Sequence, residues 1–301
     1  MTNLQARPFV TRQESTTRAL LRLSRPRQWH KAVMVFAAPA AAGALTSPVV
    51  LLQAAVAAVG FILLAAAIYA FNDIQDAPDD RRHPRKRLRP VASGSLSPTL
   101  AAVFGVTAAL VGLAIESSLG LSTFALAAAY LVAQVLYVLG LKHVAVVDLM
   151  IVALGFVLRA AAGGTATGIP VSHWFLLVSL FGAMFLVTGK RKAEHVSARN
   201  AVSRPVLAAY PASWLDQVMT VALLGTALSY GMWAFQYLGH DVLRELLAIS
   251  FVPFLTGLLR YGLLVSTGRG EEPEHEIFHD RVLQVAGLTW AALLAIGIYS
   301  G

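Results

Sequence analysis

A chain of 301 residues that is 57% hydrophobic and 13% charged is not a soluble domain, in which about a quarter of residues carry charge. The net charge of +8 lies in the gaps between apolar runs rather than across a polar surface, so an integral membrane protein is expected and nucleic-acid binding is not. Cysteine is absent, which excludes disulfides, thiolate metal sites and cysteine nucleophiles.

The first 31 residues hold seven Lys or Arg, then a short apolar run ends in Ala37-Ala38-Pro39-Ala40-Ala41-Ala42-Gly43. That ending mimics a cleavable signal. The long basic lead and the multi-spanning remainder favour a retained first helix. Residues 1–24 read as a basic cytoplasmic segment whose arginines meet anionic lipid, and 25–301 as a single transmembrane catalytic domain. At about 20 apolar residues per crossing, nine helices are predicted: 30–47, 49–71, 97–115, 119–140, 144–164, 172–190, 214–237, 245–266 and 282–300. Pro39 and Gly43 can kink the first.

The basic residues orient this array. With the N-terminus inside, Arg7 through Lys31, the 72–95 loop, Lys142, the 190–213 loop and the 267–281 loop all face the cytoplasm. The opposite loops offer only Arg244. A multi-pass protein of the inner membrane is expected, with its C-terminus outside.

The second predicted helix leaves the membrane through Asn72-Asp73-Ile74-Gln75-Asp76-Ala77-Pro78-Asp79-Asp80, followed by Arg81, Arg82, Arg85, Lys86, Arg87 and Arg89. Four carboxylates and six cations thus fall within eighteen residues. Clustered carboxylates repel unless a cation bridges them, and hard oxygen ligands favour Mg²⁺ with phosphate. Flanking Lys and Arg suit the rest of a polyphosphate. If the helix continues, Asp73, Asp76 and Asp80 share one face. Basic residues alone would serve topology, so the acids argue for a metal site.

Other polar residues divide evenly between site and scaffold. Arg27 and Lys31 sit at the cytoplasmic mouth of helix one, to bind phosphate or anchor in headgroups, and Trp29 reads as an interfacial belt residue. Tyr137 lies about one turn before Lys142 and faces either the cavity or the packing. Asp148 and Arg159 are intramembrane charges, which usually face the bundle interior. Asp148 is expected to hold a Lys, a ribose hydroxyl or a metal-bound water, and Arg159 to bond backbone carbonyls. Arg260 and Arg281 lie within reach of a donor phosphate. The acidic run Glu271 to Glu276 matches no ligand set and reads as a solvated loop.

The Asn-Asp-x-x-Asp-x-x-x-Asp pattern from Asn72, with a basic stretch ending Arg89-Pro90-Val91-Ala92-Ser93-Gly94, resembles the first signature of the UbiA superfamily of intramembrane prenyltransferases. The resemblance implies an all-α bundle of nine transmembrane helices, with a cytoplasmic-side cavity open laterally to lipid. It also implies that Asn72, Asp73, Asp76 and Asp80 hold Mg²⁺ on a diphosphate, the three aspartates being catalytic. The family's second signature, an Asp-x-x-x-Asp pair on the sixth helix, reads here Gly189-Lys190-Arg191-Lys192-Ala193-Glu194. A second acid-bound Mg²⁺ is therefore in doubt, while Lys and Arg can neutralise phosphate in its place.

That departure resembles one branch of the superfamily, and so do Arg25-Pro26-Arg27-Gln28-Trp29, Leu141-Lys142-His143, Leu158-Arg159-Ala160, Gly163-Gly164, Trp174-Phe175-Leu176-Leu177 and Asp280-Arg281. The branch joins 5-phosphoribosyl 1-pyrophosphate to decaprenyl or another polyprenyl phosphate, towards the arabinose donor of the cell wall. By this resemblance Lys86, Arg87, Lys190 and Arg191 grip the donor's phosphates. Lys31, Arg27, Tyr137, Lys142, Asp148, Arg159 and Glu194 then line the lipid-phosphate side or the cavity, and a trimer is allowed. Two alternatives stay open. An ordinary prenyltransferase acting on an aromatic acceptor lacks a reason for Lys190-Arg191-Lys192, and a lipid-phosphate carrier lacks one for the four acids.

Overall fold

The computed structural model describes residues 15–197, 205–236, 238–239, 242–269 and 273–300. Most of the basic lead and the acids Glu271 and Glu272 lie outside them. Among the described residues every regular element is a helix and there is no strand. Eight helices are long and apolar enough to cross a membrane, and the protein is a multi-pass membrane protein.

Helix α1 (Thr16–Leu23) starts at Ser15, whose hydroxyl accepts from the Arg18 amide at 3.4 Å. Its buried Ala19 and Leu23 pack with Ala70, Ala77, Val91 and Ala101, so residues 16–23 of the basic segment fold onto the bundle. The predicted first helix, 30–47, takes a different form: a 3-10 segment from Pro26 to Phe36, then the five-residue α2 (Ala37–Ala41). Eleven 3-10 residues at about 2.0 Å each extend farther than an α-helix of equal length. Close packing accompanies this tightening. A Cβ on Gly163 would lie 1.8 Å from the Val35 carbonyl oxygen, so only glycine lets the two backbones approach this closely.

Helix α3 (Pro48–Asp80) has 33 residues, about 50 Å at 1.5 Å per residue. The hydrocarbon core is about 30 Å thick. Its last turns therefore project beyond the apolar slab and carry the aspartates with them. Helices α4 (Pro98–Ser118), α5 (Leu121–Leu139), α6 (Val147–Thr167), α7 (His173–Ser197) and α8 (Ala212–Phe235) follow as neighbouring hairpins. The predicted 245–266 helix is split at Ser250 into α9 (Val242–Ile249) and α10 (Phe251–Ser266). Pro253 has no N–H to donate back to Ile249, which permits the break. The short α11 (Pro273–His279) precedes α12 (Arg281–Tyr299), where the Asp280 carboxylate accepts from the Leu283 amide at 3.1 Å. The core is rich in alanine, as close helix approach within a membrane requires.

Candidate active site

Because α3 stays helical through Asp80, Asn72, Asp73, Asp76 and Asp80 converge at its end. Asn72 Nδ2 donates to Asp76 Oδ2 at 2.9 Å. Asp73 is 1% exposed and Asp80 3%, so their charges need partners. Arg89 supplies one: its Nη1 lies 2.6 Å from Asp80, 3.6 Å from Asp73 and 3.9 Å from Asp76. Arg25 Nη2 bonds Asp73 Oδ1 at 2.5 Å, and its guanidinium lies 4.6 Å from the centre of the Tyr69 ring. Lys142, on the 3-10 turn Leu141–His143 after α5, reaches Asp76 Oδ1 at 2.7 Å. Arg25 takes a left-handed backbone (φ +50°) before Pro26, turning the chain from α1 into the 3-10 segment.

One guanidinium nitrogen thus occupies the point shared by three carboxylates. Among the described residues no three acidic or histidine side chains form a ready metal-ligand group. The donor set nonetheless fits Mg²⁺, since it offers hard oxygens only and already gathers around a stand-in cation.

Beside Asp73 opens a cavity of ≈ 580 Å³ lined by Arg22, Arg25, Arg27, Arg85 and Arg89. Its floor includes Asp73 of α3, and two chain segments wall it: the α1-to-3-10 corner, and the 81–97 connection, where Arg22 donates to the Leu88 carbonyl. The expected phosphate ligands Lys86 and Arg87 are exposed and flank this wall without lining it.

A second polar cluster joins α6, α7 and the start of α8. Asp148 is fully buried; it accepts from the Tyr210 hydroxyl and, at 3.1 Å, from Arg191 Nε. Arg191 Nη1 also bonds Glu194 Oε2 at 3.0 Å. The Val146 amide donates to Tyr210 Oη at 2.6 Å. Val146 has φ +69°, a strained conformation for a β-branched residue, and this bond helps hold it. Burial pushes the Tyr210 phenol well above its ordinary pKa, and the bond to Asp148 adds to the rise. Arg191 is 3% exposed and faces two carboxylates rather than a substrate space.

The remaining expected residues scatter. Arg159 donates to the Gly155 carbonyl at 3.1 Å and to Tyr130 Oη at 2.6 Å. Lys190, Tyr137 and Lys31 are half-buried, and Arg27 is exposed at the cavity. Lys192 pairs with Asp216 at 2.5 Å. Arg260 donates to Asp280 at 2.7 Å, and this bond with the helix-cap contacts holds the Asp280 carboxyl down to about 2. Sequence reasoning gave Arg85 and Arg89 only a general phosphate role as flanking cations, and left Arg22, Arg25 and Tyr210 without individual roles. The Arg25-Pro26 and Arg89-Pro90 pairs were a readable signal; Tyr210 had none.

A helical bundle with an acid-tipped third helix, basic connections and eight candidate spans defines a class. The UbiA prenyltransferase family model matches residues 33–279, and the chain belongs to that family. In fold it resembles a UbiA homologue from Archaeoglobus fulgidus bound to GPP and Mg²⁺, with a TM-score of 0.67 at 17% identity over 94% of this chain and 100% of that one. Within the family it is similar to decaprenyl-phosphate phosphoribosyltransferase of Mycobacterium tuberculosis H37Rv, 41% identical over 92% of this chain and 93% of the relative. The enzyme of that name from Corynebacterium glutamicum is 39% identical over 93% and 86%.

Proposed function

We propose that the protein transfers the 5-phosphoribosyl group of 5-phosphoribosyl 1-pyrophosphate to decaprenyl or another polyprenyl phosphate. The products are a polyprenylphosphoryl ribose 5-phosphate and pyrophosphate, feeding arabinan precursors of the cell wall. Similarity to decaprenyl-phosphate phosphoribosyltransferases over nine-tenths of the chain supports this. The observation that carries it within the molecule is the gathering of three carboxylates around one cationic position, that of Arg89, beside four further arginines.

In this reading Asp73, Asp76 and Asp80, with Asn72, hold Mg²⁺. Bound there, the ion would offset the charge that builds on pyrophosphate as the C1–oxygen bond weakens. Arg89 and Lys142 already touch these acids and lie close enough to share that task, with Lys86, Arg87 and Lys190 nearby in sequence to the same ends of the helices. Arg191 and Asp148 act as a strut. The acceptor's phosphate is ionised near neutral pH, so its oxygen attacks C1 from the opposite face without a strong general base. Nothing in the site needs to remove a proton.

The site lies on the cytoplasmic side, where the basic connections gather. The 3-10 segment and α2 make a ninth crossing: at roughly 2.0 and 1.5 Å per residue they reach about 30 Å. The cavity opens laterally to lipid, the 25–301 unit is one catalytic domain, and a trimer is consistent with the family resemblance. The test is transfer of label from phosphoribosyl pyrophosphate to decaprenyl phosphate by the protein in lipid nanodiscs, with Mg²⁺ and with EDTA. Metal-dependent labelled lipid is expected. Polyprenyl transfer to an aromatic acceptor, or lipid binding without turnover, would replace this reading.

A further inference from the structure

The arginine cavity has more positive charge than its surroundings use. Of its five guanidiniums, Arg25 and Arg89 are engaged by Asp73 and Asp80. Asp73 is the one carboxylate in the lining. Arg27 and Arg85 remain at the mouth, both exposed, and among the described residues neither meets a carboxylate. The cavity's two walls belong to separate segments, joined across the mouth by the bond from Arg22 to the Leu88 carbonyl. Packing of Ala19 and Leu23 beneath α1 fixes the wall that carries Arg22. Neighbouring guanidiniums held by a packed scaffold repel one another unless an anion sits between them, and guanidinium forks match phosphate oxygens in pairs.

We infer that this cavity is a subsite for a phosphate monoester dianion, and that it takes the 5-phosphate of the sugar donor. The assignment rests on the proposed reaction and refines it. Both substrates of that reaction carry a phosphate monoester, so the surrounding surface decides between them. A polyprenyl chain needs a continuous apolar groove next to its phosphate. The non-arginine lining here is Leu88, Pro26, Pro90, Gln28 and Asp73; its three apolar residues are too few for such a groove, and Asp73 ties it to the acid cluster instead. Asp73 belongs both to this lining and to the acid cluster. A ligand with pyrophosphate at one end and a monoester at the other can therefore span the two positions. Residues 22–28, on this account, are part of the donor site, and Arg27 and Arg85 set specificity for a 5-phosphorylated sugar.

A cycle of two proteins and two donors tests this. Wild type and Arg27→Gln/Arg85→Gln are each assayed with phosphoribosyl pyrophosphate and with ribosyl 1-pyrophosphate, which lacks the 5-phosphate. Losing two charge-assisted contacts should raise KM for the phosphorylated donor about a hundredfold. The variant's KM for ribosyl 1-pyrophosphate should change less than about twofold, since that contact is already missing. Equal losses with both donors overturn the subsite. A raised KM for polyprenyl phosphate with the donor's KM unchanged overturns it too, in favour of the lipid headgroup. Calorimetric binding of ribose 5-phosphate against ribose needs no turnover. A preference for ribose 5-phosphate in wild type that disappears in the variant upholds the subsite even if transfer to lipid fails, and no preference in wild type refutes it.

Discussion

The α3 tip and the α6–α7–α8 junction are built from the same side chains, carboxylates and guanidiniums, and differ in stoichiometry and access. At the junction, buried Asp148 meets Arg191 and Tyr210, and Arg191 meets Glu194 as well, so the group is internally satisfied. At the α3 tip, one Arg89 nitrogen is shared among three acids at unequal distances, 2.6 to 3.9 Å, and a basic cavity opens beside them. At the junction each charge has its own close partner, whereas at the α3 tip the one position common to all three acids is held by a side chain that another cation can replace. The Gly189–Glu194 stretch falls at this junction, with Arg191 held between Asp148 and Glu194.

Substitutions should separate the two regions, the largest effect first. Asp76→Ala should lower Mg²⁺-dependent transfer by at least about a hundredfold and leave the unfolding temperature in detergent nearly unchanged; retained turnover would remove the acids from the metal role. Asp148→Ala should act the other way. Leaving buried Arg191 with Glu194 as its remaining carboxylate costs up to about 3–5 kcal/mol, seen as a fall in unfolding temperature, with KM for the donor little altered in the folded fraction. A donor-specific KM defect without destabilisation would make the junction part of the site. Tyr210→Phe removes one hydroxyl that serves both Asp148 and the Val146 amide, and should cost about 1–3 kcal/mol, read from the same melting curves.

The smallest effect concerns pH. The Asp280 carboxyl is held at about 2, chiefly by Arg260. A depressed carboxylate pKa contributes stability that is complete above the unfolded value of about 4 and is lost as pH falls through the folded one. The difference in unfolding temperature between wild type and Asp280→Asn should therefore be constant from pH 5 to 8 and shrink only as pH drops from about 4 towards 2. A difference that changes near neutrality would point to another titrating group.

How much of this was legible in the sequence depended on range. The long spans and the aspartates' shared face follow from apolar runs and helical spacing, which are local. The 3-10 form of Pro26–Phe36 depends on the Val35 backbone meeting Gly163, a contact 128 positions away in the chain, and alanine-rich residues 37–42 gave no hint of it. The split at Ser250 was readable from Pro253 and was missed. Arg25 meets Asp73 across 48 positions and Tyr210 meets Asp148 across 62; no spacing rule reveals such pairs. Lys86 and Arg87 drew attention as the centre of a basic run, yet Arg85 and Arg89 at its edges turn toward the cavity.

The most direct measurement is a cryo-electron microscopy structure of the protein in nanodiscs with phosphoribosyl pyrophosphate and Mg²⁺. The account predicts metal density among Asp73, Asp76 and Asp80, Arg89 moved from that point onto a donor phosphate, and the pyrophosphate against the ion. Arg89 still locked between the acids, with donor and metal bound elsewhere, would contradict it.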